Sequence, residues 1–180
     1  MISLRDIQVF FKGTIKLSEP LAKYTGIGIG GDADYFFEPS SSKELALLLD
    51  YFQEREFPYV IVHSNMLVNE GGFRGAAVFL GHDDDDRPRK RNGMSLFRNP
   101  EPLKASDIIK EVGLQGFKSG GAFVASDDAN VVVNNGRATS EDLLSLIRTI
   151  QAEVWRGKSI ALEADIQMVG FAEPAFSKVA

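Results

Sequence analysis

The chain has 180 residues, 44% hydrophobic and 25% charged, a globular composition that fits one or two compact domains and excludes wholesale disorder and collagen-like repeats. With 20 basic and 25 acidic residues the net charge is −5, which gives no general electrostatic support for binding nucleic acid or an anionic membrane. Cysteine is absent and histidine occurs only at His63 and His82, so disulfides, thiolate nucleophiles and cysteine-held metals are excluded and no metal centre is expected.

No run approaches the ~18–20 apolar residues of a membrane span. Arg5 and Asp6 interrupt what would have to be the apolar core of a signal segment. A cytoplasmic protein is expected.

From Lys23 the pattern is that of a small βαβ-type unit. Asp34–Glu38 predicts a short strand closed by Pro39. Ser41 and Glu44 have capping-box spacing and predict a helix whose Leu45, Leu48, Leu49 and Phe52 form one buried stripe. Tyr59–Val62 and Ala76–Leu80 are short unbroken apolar runs, as expected of strands covered on both faces. The stretch 81–93 holds four acids, then four bases, and nothing that builds a core, which predicts a solvated linker. Its adjacent carboxylates Asp83–Asp86 read as linker surface rather than as a cation site.

Beyond the linker, Lys104–Val112 predicts a helix stopped by Gly113, and Gly121–Val124 and Val131–Val133 predict strands. Thr139 with Asp142 at N3 starts the longest helix, with Leu143, Leu146, Ile147, Ile150 and Val154 as its buried stripe and Trp155 and Gly157 marking its end. A final strand is expected over Ile160–Val169, followed by a tail from Phe171 without periodic signal. The class expected is α+β: a βαβ-type N-terminal lobe over 1–80, the linker 81–93, a mixed α/β C-terminal lobe over 94–171 and a tail over 172–180.

Gly26, Gly28 and Gly31 satisfy G-x-G-x-x-G, but a dinucleotide fingerprint needs a strand before it and a helix after it, and here Asp32–Phe37 leads into a strand. Flexible glycines ahead of a strand account for the motif. Val62–Met66 is a strand end running into small polar residues, a place where backbone amides often meet a phosphate. Ser95 has no histidine or lysine beside it in sequence to activate it.

The order of these fragments is more informative than any one of them. Leu21–Thr25, Ile29–Asp34, Phe37–Pro39, Ser64–Val68, Gly72–Gly75, Ser95–Pro100, Gly113–Phe117, Gly120–Ala122, Ala129-Asn130, Val133-Asn134 and Leu162-Glu163 together resemble the UDP-N-acetylenolpyruvoylglucosamine reductase family of peptidoglycan precursor synthesis. The resemblance runs from about Leu21 to Gly170. It implies FAD and NADPH as cofactors, with hydride passing from the flavin to an enolpyruvyl double bond. It also implies Ser95 as the proton-donating catalytic residue, Asp165 at the position of the catalytic glutamate, Arg98 and Asn99 as substrate-binding residues, and His63, Ser64 and Asn65 at the flavin-phosphate loop.

The same resemblance exposes departures. Members carry a long segment, holding much of the FAD-binding domain and a catalytic arginine, where this chain has only the charged linker. The glycine-rich loop before Ser64-Asn65 is reduced to Val62-His63. Aspartate replaces glutamate at position 165, a retraction of roughly 1 Å that costs on the order of a hundredfold in rate. Met94 stands at a family glycine, where a turn with φ > 0 would be strained by a side chain. Asp127-Asp128 replaces a Lys-His pair, and facing a UDP pyrophosphate it would oppose binding. The bland reading of Asp165 and Gln167 is that they are outward-facing strand positions.

Three readings follow. The favoured one is a reduced, catalytically silent relative that serves as a scaffold or ligand-binding module for a UDP-sugar or a protein partner, with FAD binding in question. The alternatives are an active FAD- and NADPH-dependent reductase and an artificially shortened chain with exposed apolar surface.

Overall fold

The computed structural model describes residues 2–81 and 93–171. In chain order the elements are α1 (Leu4–Phe10), β1 (Thr14–Pro20), a single 3-10 turn (Leu21–Lys23), β2 (Asp32–Glu38), α2 (Ser42–Glu54), β3 (Tyr59–Val62), β4 (Met66–Val68), β5 (Phe73–Phe79), β6 (Gly93–Ser95), α3 (Ala105–Glu111), β7 (Lys118–Ser119), β8 (Ala122–Val124), β9 (Val131–Asn134), α4 (Ser140–Lys158) and β10 (Gln167–Val169). The class is α+β, as the sequence predicts. The charged stretch 82–92 and the tail 172–180 lie outside the described residues.

The first sheet has the order β1-β2-β5-β3, with β2, β5 and β3 parallel and β1 antiparallel at the edge. The expected βαβ unit is β2–α2–β3, with β5 inserted between its two strands. Ser41 caps α2 by accepting the Glu44 N–H at 3.2 Å. Glu44 reaches back past the cap, accepting the Ser40 hydroxyl at 2.8 Å and the Ser40 and Gly13 N–H groups at 3.1 Å each. It thereby ties the α1–β1 turn to the start of the helix. Neither α1 nor β1 has a legible period in the sequence, because α1 buries only Ile7 and β1 leaves Leu17 59% exposed.

Both faces of this sheet are covered. Ile7, Phe11, Phe37, Leu48, Phe52 and Val78 pack on the α1/α2 side. Leu21, Phe36, Val62, Met66, Phe79 and Val169 pack on the other, with Tyr24 stacked on Phe36 at 4.6 Å between ring centroids. Burial on both sides explains the unbroken apolar runs of β3 and β5.

The second four-stranded sheet, β6-β9-β8-β7, is antiparallel and contributes to a core shared with α3 and α4. A complete capping box of Thr139 and Asp142 starts α4, and all five residues of its expected stripe are fully buried. The helix passes the expected stop at Trp155 and Gly157 and ends at Lys158, where Ser159 turns left-handed at φ 54°. The expected strand over Ile160–Val169 shrinks to Gln167–Val169 plus a single bridge from Ala164 to Phe97. Its alternating apolar residues do pack on the core, but among the described residues its backbone pairing is confined to the bridge with residues 96–98, short of a strand ladder.

The N- and C-terminal halves of the chain are joined. β10 pairs in parallel with β4, and Ile27, Ile29 and Leu67 of the N-terminal half lie in the same core as Leu143 and Ile147. Asn134 donates to the Ile27 carbonyl at 3.0 Å. Ser140, in the first turn of α4, donates its N–H and its hydroxyl to Glu70 at 2.6 Å each, which sets a carboxylate at the positive end of a 19-residue helix.

Burial pushes the Glu70 carboxyl up, but the Ser140 hydroxyl and N–H outweigh it and hold the group below its ordinary value of 4.5. A carboxyl depressed in the folded chain stabilises fully above its unfolded value and loses that contribution as pH falls through the folded one. Thermal melts are therefore expected to weaken on acidification below about pH 4.5, and Glu70→Gln should make that decline shallower. An unchanged pH profile in the variant would remove Glu70 from the tie.

The glycine motif leads straight into β2, with no helix after it. A Cβ on Gly31 would lie 2.2 Å from the Glu70 carbonyl oxygen and 2.6 Å from the Gly72 nitrogen. Close approach of the Asn69–Gly72 turn thus requires a glycine there without any nucleotide.

Candidate functional site

The site is built on Asn130, just before β9. Its Oδ1 accepts the Phe97 N–H at 3.0 Å, and its amide NH2 donates to the Phe97 carbonyl at 2.8 Å and to the Ser95 hydroxyl at 3.2 Å. Its own N–H is taken by the Asp128 carboxylate at 2.9 Å. This clamp fixes the segment 95–98 as it leaves β6.

Segment 163–165 lies alongside. The Arg98 N–H donates to the Glu163 carbonyl at 3.0 Å, and the Asp165 N–H donates to the Leu96 carbonyl at 2.9 Å. Arg98 Nε then donates to Asp165 Oδ1 at 3.1 Å and Nη1 to Glu163 Oε1 at 3.3 Å. The Asp165 bond and the Glu163 charge push the guanidinium further above its already high value. From the N-terminal half, His63 Nε2 approaches Gln167 Oε1 to 2.5 Å, and the Asn65 side-chain amide donates to the Asp165 carbonyl. Between them opens a cleft of about 440 Å³ lined by His63, Asn65, Arg98, Ala164, Asp165, Ile166 and Gln167.

Four of the residues singled out from sequence, His63, Asn65, Arg98 and Asp165, therefore meet on one cleft although they come from three distant stretches of the chain. Three do not line it. The Ser95 hydroxyl is held by Asn130. Asn99 accepts the Ala105 N–H at 2.9 Å and so caps α3. Ser64 presents its carbonyl to the Gly26 N–H at 2.7 Å. Asn130, the residue that organises the segment, falls in the Ala129-Asn130 fragment of the resemblance, but no role is read for it from the sequence. Gln167 enters as the partner of His63.

Two sequence expectations change with the geometry. Met94 sits in β6 opposite Val132, outside the left-handed region, and its side chain is buried in the C-terminal core; the strain expected of a turn does not arise because the position is a strand. Asp127 and Asp128 face solvent in the turn before β9, and so give the cleft no repulsive wall.

The segment His63–Asn65 offers few groups to a flavin pyrophosphate. A phosphate cradle needs several free N–H groups converging on one point. Here the His63 N–H is turned to Met66 Sδ at 3.1 Å, and the His63 and Asn65 side chains are taken up by Gln167 and Asp165.

Residues 86–169 match the family described as UDP-N-acetylenolpyruvoylglucosamine reductase, C-terminal domain. Through this stretch the chain is similar to the UDP-N-acetylenolpyruvoylglucosamine reductase family. Among similar relatives, the reductase of a Synechococcus species is 42% identical over 96 residues, 53% of this chain and 31% of the relative. That of Parasynechococcus marenigrum is 46% identical over 81 residues, 45% of this chain and 27% of the relative. The matched stretch thus spans about a third or less of these reductases' length. The crystal structure of UDP-N-acetylenolpyruvylglucosamine reductase from Thermus caldophilus superposes with a TM-score of 0.64 at 18% identity, covering 88% of this chain and 99% of that one. At that identity the likeness is one of fold. Among the described residues no helix is long and apolar enough to cross a membrane, and no group of three or more histidine or acidic side chains is placed to hold a metal.

Proposed function

We propose that the chain is a reduced, catalytically silent relative of these reductases, a cytoplasmic scaffold whose cleft takes a small ligand of the UDP-sugar class or docks a protein partner. The observation that carries this reading is that the residues at the family's working positions are bonded to one another: Asp165 to Arg98 and Asn65, His63 to Gln167, and Ser95 to Asn130. A serine hydroxyl whose neighbour is a carboxamide NH2 has no group beside it to resupply a proton. The cleft, at about 440 Å³, is toward the small end of the ~300–1,000 Å³ of small-molecule sites, and a flavin dinucleotide together with a sugar nucleotide exceeds it.

Packing weighs against an artificially shortened chain. Both faces of the first sheet are covered, and the exposed large apolar side chains among the described residues, Val9, Leu17, Leu47, Leu103 and Trp155, fall on four different elements and one loop. The competing reading, an FAD- and NADPH-dependent reductase, rests on the family likeness and on Ser95 keeping its place. NADPH oxidation with added FAD and the enolpyruvyl sugar nucleotide separates the two. No turnover above background is expected. Turnover that disappears in Ser95→Ala would establish the reductase instead.

A further inference from the structure

We infer that the chain pairs with a second copy of itself along the free edge of β3, antiparallel and with Val60 on the two-fold axis, so that two four-stranded sheets run on as one. The contact lies on the first sheet, away from the Arg98 segment, and holds whether or not the cleft is catalytic.

The sheet β1-β2-β5-β3 has two edges, and they are built differently. On β1, Lys16, Glu19 and Pro20 bring charge and a missing N–H to the strand, and Ser18 turns left-handed at φ 50° within it. Such features keep an edge from pairing with another chain. β3 has none of them: Tyr59, Val60, Ile61 and Val62 are uncharged, aromatic or β-branched, and in unbroken register with β5. The parallel ladder shows which of their backbone groups face outward. The Pro58 carbonyl accepts the Ala76 N–H at 2.9 Å, so residues 58, 60 and 62 are turned to β5, and the N–H and carbonyl of Tyr59 and of Ile61 point away from it. Among the described residues no strand lies beyond β3 and no hydrogen bond reaches these groups.

Register is what singles out a second copy as the occupant. Hydrogen-bonded rungs of an antiparallel pair form between residues whose N–H and carbonyl both face the other strand. Setting Tyr59 against the partner's Ile61 also sets Ile61 against the partner's Tyr59, and every outward donor and acceptor of both strands is then used. Val60 meets the partner's Val60 on the axis. A two-fold axis normal to the sheet keeps each side chain on its own face: the half-buried Tyr59 and Ile61 extend the α1/α2 side, and the valines extend the other. No charged side chain lies between Pro58 and Val62 to oppose the match.

An edge this short makes a weak dimer, and sedimentation of the full chain should give monomer at about 1 μM and mostly dimer at about 1 mM. Ile61→Pro removes an outward N–H while leaving the ladder to β5, which runs through Val60 and Val62, and should hold the chain monomeric at the higher concentration. Should that variant melt early, Tyr59→Lys, which keeps the backbone whole and adds an edge charge, should do the same. Leu17→Lys, on the other edge of the sheet, should leave the dimer intact. A chain that stays monomeric throughout overturns the proposal, as does a dimer that survives both β3 variants or is lost in Leu17→Lys. The register has its own test, because the chain contains no cysteine and Val60→Cys introduces a single thiol. Across the axis two such residues stand about 4.5 Å apart at Cα, within disulfide reach. Under mild oxidation Val60→Cys, at a position 7% exposed, should cross-link about tenfold faster than Leu17→Cys, at one 59% exposed. Cross-linking no faster than at Leu17 would overturn the pairing.

Discussion

Asn130→Ala is expected to lower stability by about 2–5 kcal/mol in equilibrium denaturation, because the buried Phe97 N–H and carbonyl each lose their partner and an unsatisfied buried group costs about 1–3 kcal/mol. The residue is 9% exposed and Phe97 3%, so water is poorly placed to substitute. The effect should reach the cleft as well. Without the clamp, the segment carrying Ser95 and Arg98 is held by its bonds to 163–165 and by the Leu96 N–H on the Asn130 carbonyl, and the Arg98 resonances should broaden or shift. Asn130→Asp keeps an acceptor for the Phe97 N–H but loses the donor to the Phe97 carbonyl and buries a charge, so it should rescue little. A loss within about 0.5 kcal/mol for Asn130→Ala would mean that the clamp is not what orders the segment.

The sequence is most legible where one element's own periodicity decides its burial. The stripe of α4 and its Thr139–Asp142 box read directly, as do the runs of β3 and β5, because each is buried on a pattern its own residues set. Legibility fails where burial depends on a distant neighbour. α1 and β1 carry few buried residues and are fixed by contacts such as Glu44 on Gly13 and Tyr51 on Ser3. The segment 160–166 has a strand's alternation without a strand's partner, so the period is present and the ladder is not.

For the site, chain order against a known family brings His63, Asn65, Arg98 and Asp165 into view, since their places in the motifs survive. What those residues do to one another is a matter of three dimensions. The pairing of Arg98 with two carboxylates joins positions more than sixty residues apart, and the closure of His63 on Gln167 joins positions 104 apart. No local pattern encodes either. Asn99 and Ser64 also have roles that no local pattern encodes: the Asn99 side chain accepts the Ala105 N–H at the start of α3, and the Ser64 carbonyl accepts the Gly26 N–H.

The largest functional consequence concerns flavin. A bound flavin requires a phosphate cradle, a slot for the ring and an open route between them. In this chain the cradle segment is turned onto Met66, Gln167 and Asp165, and the face of the first sheet around Phe36, Phe79 and Met66 is already packed by Leu21, Tyr24 and Val169. The most direct measurement is the visible absorbance of the chain after gel filtration in the presence of excess FAD. The account predicts a colourless protein peak with all flavin eluting free; a yellow peak holding close to one flavin per chain would contradict it.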